Sequence, residues 1–462
     1  MNHFADQERL SAADRQRFPD LPRPEIPREG MHANRPRNPS PNDNLESVVT
    51  MVVTSGPHRG QRFQFNQHDT FVAGRSQNTH LSLPDDPRIS RYHFRLEIRP
   101  PECYLVDLDS RNGTCVNETR VTDCFLKHDD VVSLGHTKIR VEIEKAELAS
   151  DTSAAATVLT NRETQESGTT SGPSTSGSSG IGNWQPVPGY ELVEKLGEGT
   201  MGTVYRAIQK STAQRVAVKL IVPERAGCEQ DIQLFLREAS VLSRLDHPRI
   251  IKFRELGMAA GQFFFVMEEV PTVDFPSLLA QQTSESRVRI CCGITCQILE
   301  ALGYAHSLSI VHRDIKPANV LITRPGRKLK CKLADFGLAK NYANAGFSEI
   351  TRDGEARGTI AFMPPEQLID CRQAKPAADI YSVGATLYHY LAGEFPFEFS
   401  DDRSAFAQIL QDEFVPLNHR LPEIPQELAA MVHRALARDP VDRFASAQEM
   451  RQSLLPFSKR RS

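Results

Sequence analysis

The stretch 146–186 divides this chain into two parts that must fold around separate cores. It consists largely of Ser, Thr, Gly and Ala, with SGTTSGPSTSGSSG at its centre. Such a stretch cannot bury enough apolar surface to offset the entropy lost on folding, so we predict a flexible linker. Residues 1–45 are rich in Pro and Arg and are predicted to be a disordered tail for the same reason. Two folded modules are therefore expected, at 46–145 and 187–457, in this chain of 462 residues.

The first module alternates short apolar runs with turn residues. The runs include VVTMVV, FRLEI, CYLVDL and KIRVEI, and the last of these shows the period-2 alternation of a half-buried strand. Many short strands at close spacing predict an all-β sandwich.

The second module starts with strand patterns and then becomes helical. YELVEKLGEG, GTVYRAIQ and RVAVKLIV alternate like an antiparallel meander. From residue 277 onward, and again in DIYSVGATLYHYLAG, the apolar residues have helical spacing. The sequence thus predicts a small β-rich lobe followed by a larger helical lobe.

Bulk properties exclude several classes of partner. The net charge of −3 gives no general attraction to nucleic acid or to an anionic membrane. No run of about 18 apolar residues occurs and the N-terminus has no apolar signal-peptide core, so we expect no membrane span and a cytoplasmic location. Cys291, Cys292 and Cys296 lie close together, which leaves a metal or redox site open, although small buried hydrophobic side chains are the simpler interpretation.

A glycine-rich loop and a lysine follow each other in the β-rich lobe. Gly197, Gly199 and Gly202 stand between two strand patterns, where glycine lets the backbone approach a phosphate closely. A strand rather than a helix follows them, which argues against a dinucleotide-binding turn. Lys219 ends the next strand and is a candidate phosphate contact, and Glu238 on the following predicted helix could hold it in place.

Charged residues interrupt an apolar, largely β-branched segment further on. In SLSIVHRDIKPANVLIT the residues Asp314 and Lys316 lie between apolar runs, and burial of charge is costly unless it is paired or used. Asn319 and, after another apolar strand, Asp335 offer the oxygen ligands that Mg²⁺ prefers. Asp314 is then available to accept a proton from a substrate hydroxyl.

This set of motifs resembles the eukaryotic-type protein kinases. The glycine-rich loop, VAVK, HRDIKPAN, DFG and PPE occur in the order and spacing of that family over about residues 190–457. The resemblance implies the bilobal α+β kinase fold, with ATP and Mg²⁺. It assigns catalysis to Asp314, as the base, and to Lys316, and Mg²⁺ binding to Asn319 and Asp335. The positions that match the ATP site of the family are Gly197, Glu198, Gly199, Gly202, Val204, Ala217, Lys219, Glu238, Met267, Glu268 and Val270.

The resemblance extends to structural and regulatory positions. It implies that Asp379 braces the catalytic loop and that Arg443 pairs with Glu366. Lys316, two residues after the base, and Thr359 in the GT pair match the pattern of Ser/Thr kinases rather than that of tyrosine kinases. The stretch FMPPEQ, with Pro364 where the family usually has alanine, resembles the bacterial members. Candidate activation-loop phosphorylation sites are Ser348 and Thr351.

The first module resembles the forkhead-associated (FHA) domain, a β-sandwich that binds phosphothreonine peptides. AGRSQNTHLSL, ISRYHF and DLDSRNGTCVN carry the resemblance. It assigns phosphate contact to Arg75 and Ser90, with Arg91 assisting, and contact with the peptide backbone to Asn112; His93 would be structural. The fork of an Arg side chain suits phosphate oxygens.

A multidomain Ser/Thr kinase with its own phosphothreonine reader is the function that these observations favour. Its partners would be proteins with Ser or Thr to phosphorylate and phosphothreonine-containing proteins or its own phosphorylated linker. An FHA adaptor with a catalytically weak kinase-like scaffold is the alternative, against which the intact Lys219, Asp314 and Asp335 speak. A small-molecule kinase is disfavoured by the peptide-docking region GTIAFMPPEQ.

Overall fold

A computed structural model describes residues 47–144, 187–199, 202–221, 243–259, 262–336, 358–370, 374–400 and 403–459. The predicted tail, the linker, the helix expected around Glu238, and both Ser348 and Thr351 lie outside these residues.

The N-terminal module is a sandwich of two sheets. One is six-stranded, in the order β2-β1-β11-β10-β7-β8, and the other is five-stranded, in the order β4-β3-β5-β6-β9. Apolar side chains from both sheets form one core between them, including Met51, Phe71, Phe94, Leu105 and Val141. The strands are β1 Val48–Ser55, β2 Arg62–Phe65, β3 Asp69–Gly74, β4 Leu81–Ser82, β5 Phe94–Arg99, β6 Glu102–Asp107, β7 Thr114–Val116, β8 Thr119–Val121, β9 Asp123–Phe125, β10 Val131–Leu134 and β11 Thr137–Glu144. The predicted sandwich is confirmed.

A five-stranded antiparallel sheet forms the small lobe of the second module. Its order is β12-β13-β14-β16-β15, so the three strands that carry the glycine loop and Lys219 are neighbours. Buried Val216, Val218, Phe264 and Val266 form its core. The strands are β12 Tyr190–Gly199, β13 Gly202–Gln209, β14 Arg215–Ile221, β15 Phe253–Ala259 and β16 Gln262–Glu268.

The large lobe is helical and surrounds one long buried helix. The helical pattern from residue 277 onward is divided between two helices: the second, α2, begins after Thr283, whose side chain accepts from the Ser286 amide. A small hairpin of β17 and β18 lies beside it. The elements described are α1 Phe275–Ala280, α2 Ser284–Ser307, α3 Pro365–Ile369, α4 Pro376–Ala392, α5 Ala405–Gln411, α6 Leu417–Arg420, α7 Gln426–Ala435, α8 Ala447–Leu454, β17 Val320–Thr323 and β18 Lys330–Leu333. Short 3-10 turns occupy Pro317–Asn319, Pro440–Asp442 and Leu455–Ser458.

Helix α2 is long and apolar enough, by length and composition, to cross a membrane. Within the fold, 56% of its most apolar window is buried, as expected for the central helix of a helical lobe. Its cysteines Cys291, Cys292 and Cys296 are buried among the core side chains. Burial raises the pKa of Cys291 to about 12 and that of Cys296 to about 11, so the thiolate that metal binding or redox chemistry needs is disfavoured. The simpler interpretation of the three cysteines fits the structure.

Residues 310–323 have the apolar, largely β-branched composition of a buried strand, but most of the segment is a loop. Only Val320–Thr323 pairs in a ladder, with β18, whereas residues 310–316 have no regular structure. Ile310 and Ile315 still point into the large-lobe core. These apolar residues anchor a loop, and the charged residues project from it.

Candidate functional site

Asp314 lies on the loop between α2 and β17, with its carboxylate held by two neighbours. The side chain is 8% exposed. Lys316 Nζ lies 3.2 Å from Oδ2, and Asn319 Nδ2 donates to the same oxygen at 2.9 Å. Asn319 Nδ2 also donates to the Asp314 carbonyl at 2.7 Å, which fixes the turn of the loop. The structure thus brings Asp314, Lys316 and Asn319 together.

Asp379, in the first turn of α4, braces this loop from below as expected. It is fully buried and accepts from the backbone amides of His312 and Arg313, each at 2.9 Å. His306 Nε2 approaches the same carboxylate at 2.7 Å. Arg313 has a φ of 70°, which is unfavourable for a residue with a side chain, so the two amide bonds hold the loop in a strained shape.

His312 is a structural residue of the loop rather than a second base. Complete burial lowers the pKa of the imidazole and keeps it neutral. Its Nδ1 accepts from the Asp314 amide at 3.3 Å, so Nε2 carries the proton and donates to the Ala334 carbonyl at 3.0 Å. The ring therefore ties the loop of Asp314 to the segment that leads to Asp335.

Lys219 and Asp335 meet between the two lobes. Lys219 lies on β14, 6% exposed, and its Nζ is 3.0 Å from Asp335 Oδ1. Both residues line one pocket together with Met267, which pairs with Ala217 across β14 and β16. Glu238, the expected partner of Lys219, lies outside the described residues.

The glycine-rich hairpin lies on the edge of the small lobe. Gly197 pairs with Val204, Glu198 with Thr203, and Gly199 with Gly202. A Cβ at Gly197 would meet no described atom within 4 Å, so packing within the described chain does not require glycine there.

The segment after Met267 connects the lobes. Glu268 Oε1 accepts from Lys332 Nζ at 2.6 Å and from the Lys252 amide at 2.7 Å. Its side chain is thus engaged within the protein. Val270 follows β16 in irregular backbone and is half-buried.

The segment that begins at residue 358 contacts the loop of Asp314. Thr359 Oγ1 lies 3.4 Å from Lys316 Nζ, and Gln367 Nε2 donates to the Arg313 carbonyl at 2.6 Å. Arg443 forms the expected pair with Glu366, through two hydrogen bonds of 2.6 and 2.9 Å. Arg313 Nε is buried without a hydrogen-bond partner among the described residues.

A second site lies on the loops at one end of the sandwich. A Cβ at Gly74 would come within 2.3 Å of the Arg91 carbonyl, so glycine permits the close approach of two loops. There the Arg75 amide donates to the Ser90 carbonyl at 2.9 Å. Arg75 is exposed, and Ser90 Oγ accepts from the Arg111 amide at 2.9 Å.

His93 joins these loops to the loop of Asn112. It is fully buried, and burial lowers the pKa of its imidazole. Nδ1 accepts from the Ser90 amide at 3.1 Å, and Nε2 donates to the Gly113 carbonyl at 3.3 Å. Asn112 is exposed and its Nδ2 donates to the Arg88 carbonyl at 2.6 Å. Arg75, Ser90 and Asn112 thus lie on loops that one histidine fastens together.

Arg91 has a contact that the sequence does not indicate. Its guanidinium Nη2 donates to the carbonyl of Gln411, the last residue of α5 in the large lobe, at 2.8 Å. The sequence likewise does not indicate the contact of His306 with Asp379 or that of Gln367 with the Arg313 carbonyl. Their partners are 73 and 54 residues away, so no local pattern identifies them.

Comparisons with known proteins agree with both modules. The protein kinase domain model matches residues 190–455, and the FHA domain model matches residues 71–135. The Ser/Thr-protein kinase pkn3 of Myxococcus xanthus is 34% identical over 278 residues, 59% of this chain and 50% of that protein. PkaA of Streptomyces coelicolor, also a Ser/Thr-protein kinase, is 34% identical over 276 residues, 57% of this chain and 49% of that protein. The chain therefore spans about half the length of these curated relatives.

One solved structure, Rad53 1-466 in complex with AMP-PNP, is similar over 89% of this chain and 100% of its own. The identity is 22% and the TM-score 0.46. With its kinase domain match extending over more than half of its length and an FHA domain match before it, the chain belongs to the protein kinase family.

Proposed function

We propose that the chain is an active Ser/Thr protein kinase whose FHA domain reads phosphothreonine. The observation that carries the catalytic half is the group around Asp314. Lys316 and Asn319 both contact Oδ2, so Oδ1 is the atom that accepts the proton of a substrate Ser or Thr hydroxyl. Lys316, whose Nζ lies near the Thr359 hydroxyl, would neutralise charge on the transferred phosphoryl group.

The residues between the lobes suit ATP with Mg²⁺. Carboxylate and amide oxygens are the ligands that Mg²⁺ prefers, and Asp335 and Asn319 supply one of each. Asn319 Nδ2 is engaged by Asp314, which leaves its Oδ1 for a cation. When bound, Mg²⁺ would neutralise the phosphate oxygens between which the bond breaks.

The remaining ATP contacts come from the small lobe. Lys219 would bind the phosphates, and its contact with Asp335 would be replaced by a contact with the phosphate oxygens. The open space at Gly197 fits a loop that covers phosphate. The adenine would lie against Val204 and Ala217, and the backbone of Glu268 and Val270 would bond its edge.

Incubation of the full-length chain with labelled ATP, Mg²⁺ and myelin basic protein tests the catalytic half. We expect label on Ser and Thr, and none on Tyr. Lys219→Met, which removes the phosphate-binding charge, is the control and should incorporate no label. Failure of the unmodified chain to incorporate label would favour the adaptor alternative.

Phosphothreonine reading is supported by the exposed Arg75 beside Ser90 and Asn112. A phosphate there would accept a forked donor from Arg75 and the Ser90 hydroxyl. Binding of phosphorylated and unphosphorylated threonine peptides to the full-length chain tests it, by fluorescence anisotropy. Arg75→Ala should abolish the preference for the phosphorylated form. Arg59→Ala, an exposed arginine on the turn between β1 and β2, should leave it intact. Equal binding of both peptide forms by the unmodified chain would refute the reader.

A further inference from the structure

The outer face of the five-stranded FHA sheet has a covered apolar patch. Val72 on β3 alternates with Phe71 and Ala73, which face the sandwich core, so Val72 must face outward. It is nevertheless fully buried, as is Leu108, and Tyr92 is 4% exposed. Because the outer face of a sandwich is ordinarily polar, these three residues form a surface built to be covered, here called the docking face.

Helix α5 of the kinase large lobe packs on the docking face together with helix α3. Val72, Tyr92 and Leu108 share one apolar cluster with Phe406, Ile409 and Leu410 of α5 and with Leu368 and Ile369 of α3. Arg95, which pairs with Val72 across β3 and β5, places its guanidinium 5.1 Å from the centre of the Phe406 ring. The FHA domain and α5 therefore bury apolar side chains against each other.

Polar contacts surround this apolar patch. The Gln411 side-chain amide donates to the carbonyls of Tyr92 and Leu108. Arg403 Nε donates to Asp109 Oδ2 at 2.5 Å. Tyr92 and Leu108 directly flank the loops that carry the proposed phosphothreonine contacts, so α5 is attached at the base of both loops.

Arg91 connects the docked helix α5 directly with the proposed phosphothreonine site. Its guanidinium donates to the Gln411 carbonyl, which ends α5 and has no further helical partner. The negative end of the helix dipole favours a cation there. Arg91 is also the residue expected to assist Ser90 and Arg75 in binding phosphate, and a phosphate that takes the fork of the guanidinium must replace the Gln411 carbonyl at Nη2.

We propose that α5 is an intramolecular ligand of the FHA domain, and that α5 and phosphothreonine peptides compete for it. This inference rests on the proposed reader function. While α5 is docked, Nη2 of Arg91 is withheld from the phosphate and the flanking loops are fixed by Gln411 and Arg403. A phosphothreonine ligand that takes Arg91 releases α5 from the docking face.

The competition has a quantitative consequence. If docking has the equilibrium constant K, the apparent dissociation constant of a peptide is raised by the factor 1 + K. Coupling between two sites is typically about 5–150-fold, and it acts equally in both directions. Weakening the α5 contact should therefore tighten peptide binding, and peptide binding should expose α5.

The test uses the full-length chain after phosphatase treatment, without ATP. Arg403→Ala combined with Gln411→Ala removes the side-chain hydrogen bonds that the kinase lobe donates to the FHA domain and leaves every FHA residue unchanged. The matched control combines Arg327→Ala with Gln426→Ala, an exposed arginine and an exposed glutamine elsewhere on the large lobe. The probe is a degenerate peptide pool with one fixed phosphothreonine, compared with the same pool carrying threonine.

We expect the Arg403/Gln411 variant to bind the phosphorylated pool about fivefold or more tightly than the unmodified chain and the control. Hydrogen exchange gives the reciprocal measurement. Saturating phosphorylated pool should speed exchange in residues 405–411 of the unmodified chain, and the double substitution alone should do the same.

Equal affinity of all three chains, with exchange in 405–411 unaffected by the pool, would overturn the proposal. An effect that disappears on tenfold dilution of the protein would place α5 of a second copy on the docking face and would overturn the intramolecular contact. If no chain prefers the phosphorylated pool, the reader function itself fails; the exchange difference between the variant and the unmodified chain then still shows whether α5 docks.

Discussion

Asp379 should determine both the stability of the kinase domain and the shape of its catalytic loop. Asp379→Ala leaves the buried amide of His312 and the partly buried amide of Arg313 without their acceptor. A buried donor without an acceptor lowers the free energy of unfolding by about 1–3 kcal/mol, so two such amides at about 1.5 kcal/mol each lower it by about 3 kcal/mol. For a domain of this size, 1 kcal/mol corresponds to about 2–4 °C in Tm, and we expect the kinase transition to fall by about 6–12 °C.

His306→Ala is the matched comparison because it removes a donor to the same carboxylate and leaves both backbone bonds in place. Loss of that one hydrogen bond should cost about 1 kcal/mol, or about 2–4 °C in Tm. Thermal unfolding of the full-length variants, followed by calorimetry so that the FHA and kinase transitions separate, measures both. A Tm of Asp379→Ala as high as that of His306→Ala would refute the bracing role.

Three further predictions concern regulation and pH. Active enzyme should carry phosphate on Ser348 or Thr351, since Arg313 has a buried nitrogen for a phosphate to pair with; mass spectrometry that finds both sites unmodified would contradict this. Burial lowers the pKa of His93 in the folded state, against the opposing charge of Asp107, so protonation favours unfolding as pH falls below about 6.5. The FHA transition should lose Tm between pH 7.5 and 5.5, and His93→Gln should reduce that loss; an equal loss in both proteins would exclude His93. Threonines between residues 152 and 175, once autophosphorylated, should occupy the reader, since a linker of about 40 residues spans roughly 35 Å and gives an effective concentration on the order of a millimolar. ATP treatment should then weaken binding of an external phosphothreonine peptide, and unchanged affinity would exclude this latch.

Much of the fold and of the catalytic group could be predicted from local sequence patterns. Strand alternation and the composition of residues 146–186 separated two modules, and the spacing of Asp314, Lys316 and Asn319 within one short loop predicted that they would meet. Each of those inferences depends on neighbours in sequence, whose geometry the backbone constrains directly.

Contacts between distant segments were harder to predict. The docking face is invisible in sequence, because Val72 and Leu108 read as ordinary strand residues of the sandwich. Only the position of α5, more than 300 residues later, shows which outward side chains are covered. Residues 310–316 form a loop although their apolar, β-branched side chains favour a strand, because Asp379, more than 60 residues later, accepts hydrogen bonds from the loop amides of His312 and Arg313.

Phosphoryl transfer by Asp314→Asn tests the central claim most directly. The change removes the proton acceptor and leaves Lys219 and Asp335 for ATP, so nucleotide affinity should be retained. Steady-state transfer to myelin basic protein should fall about 10²–10⁴-fold, the usual contribution of general acid–base catalysis. Undiminished turnover with unchanged nucleotide affinity would contradict the assignment of Asp314 as the base.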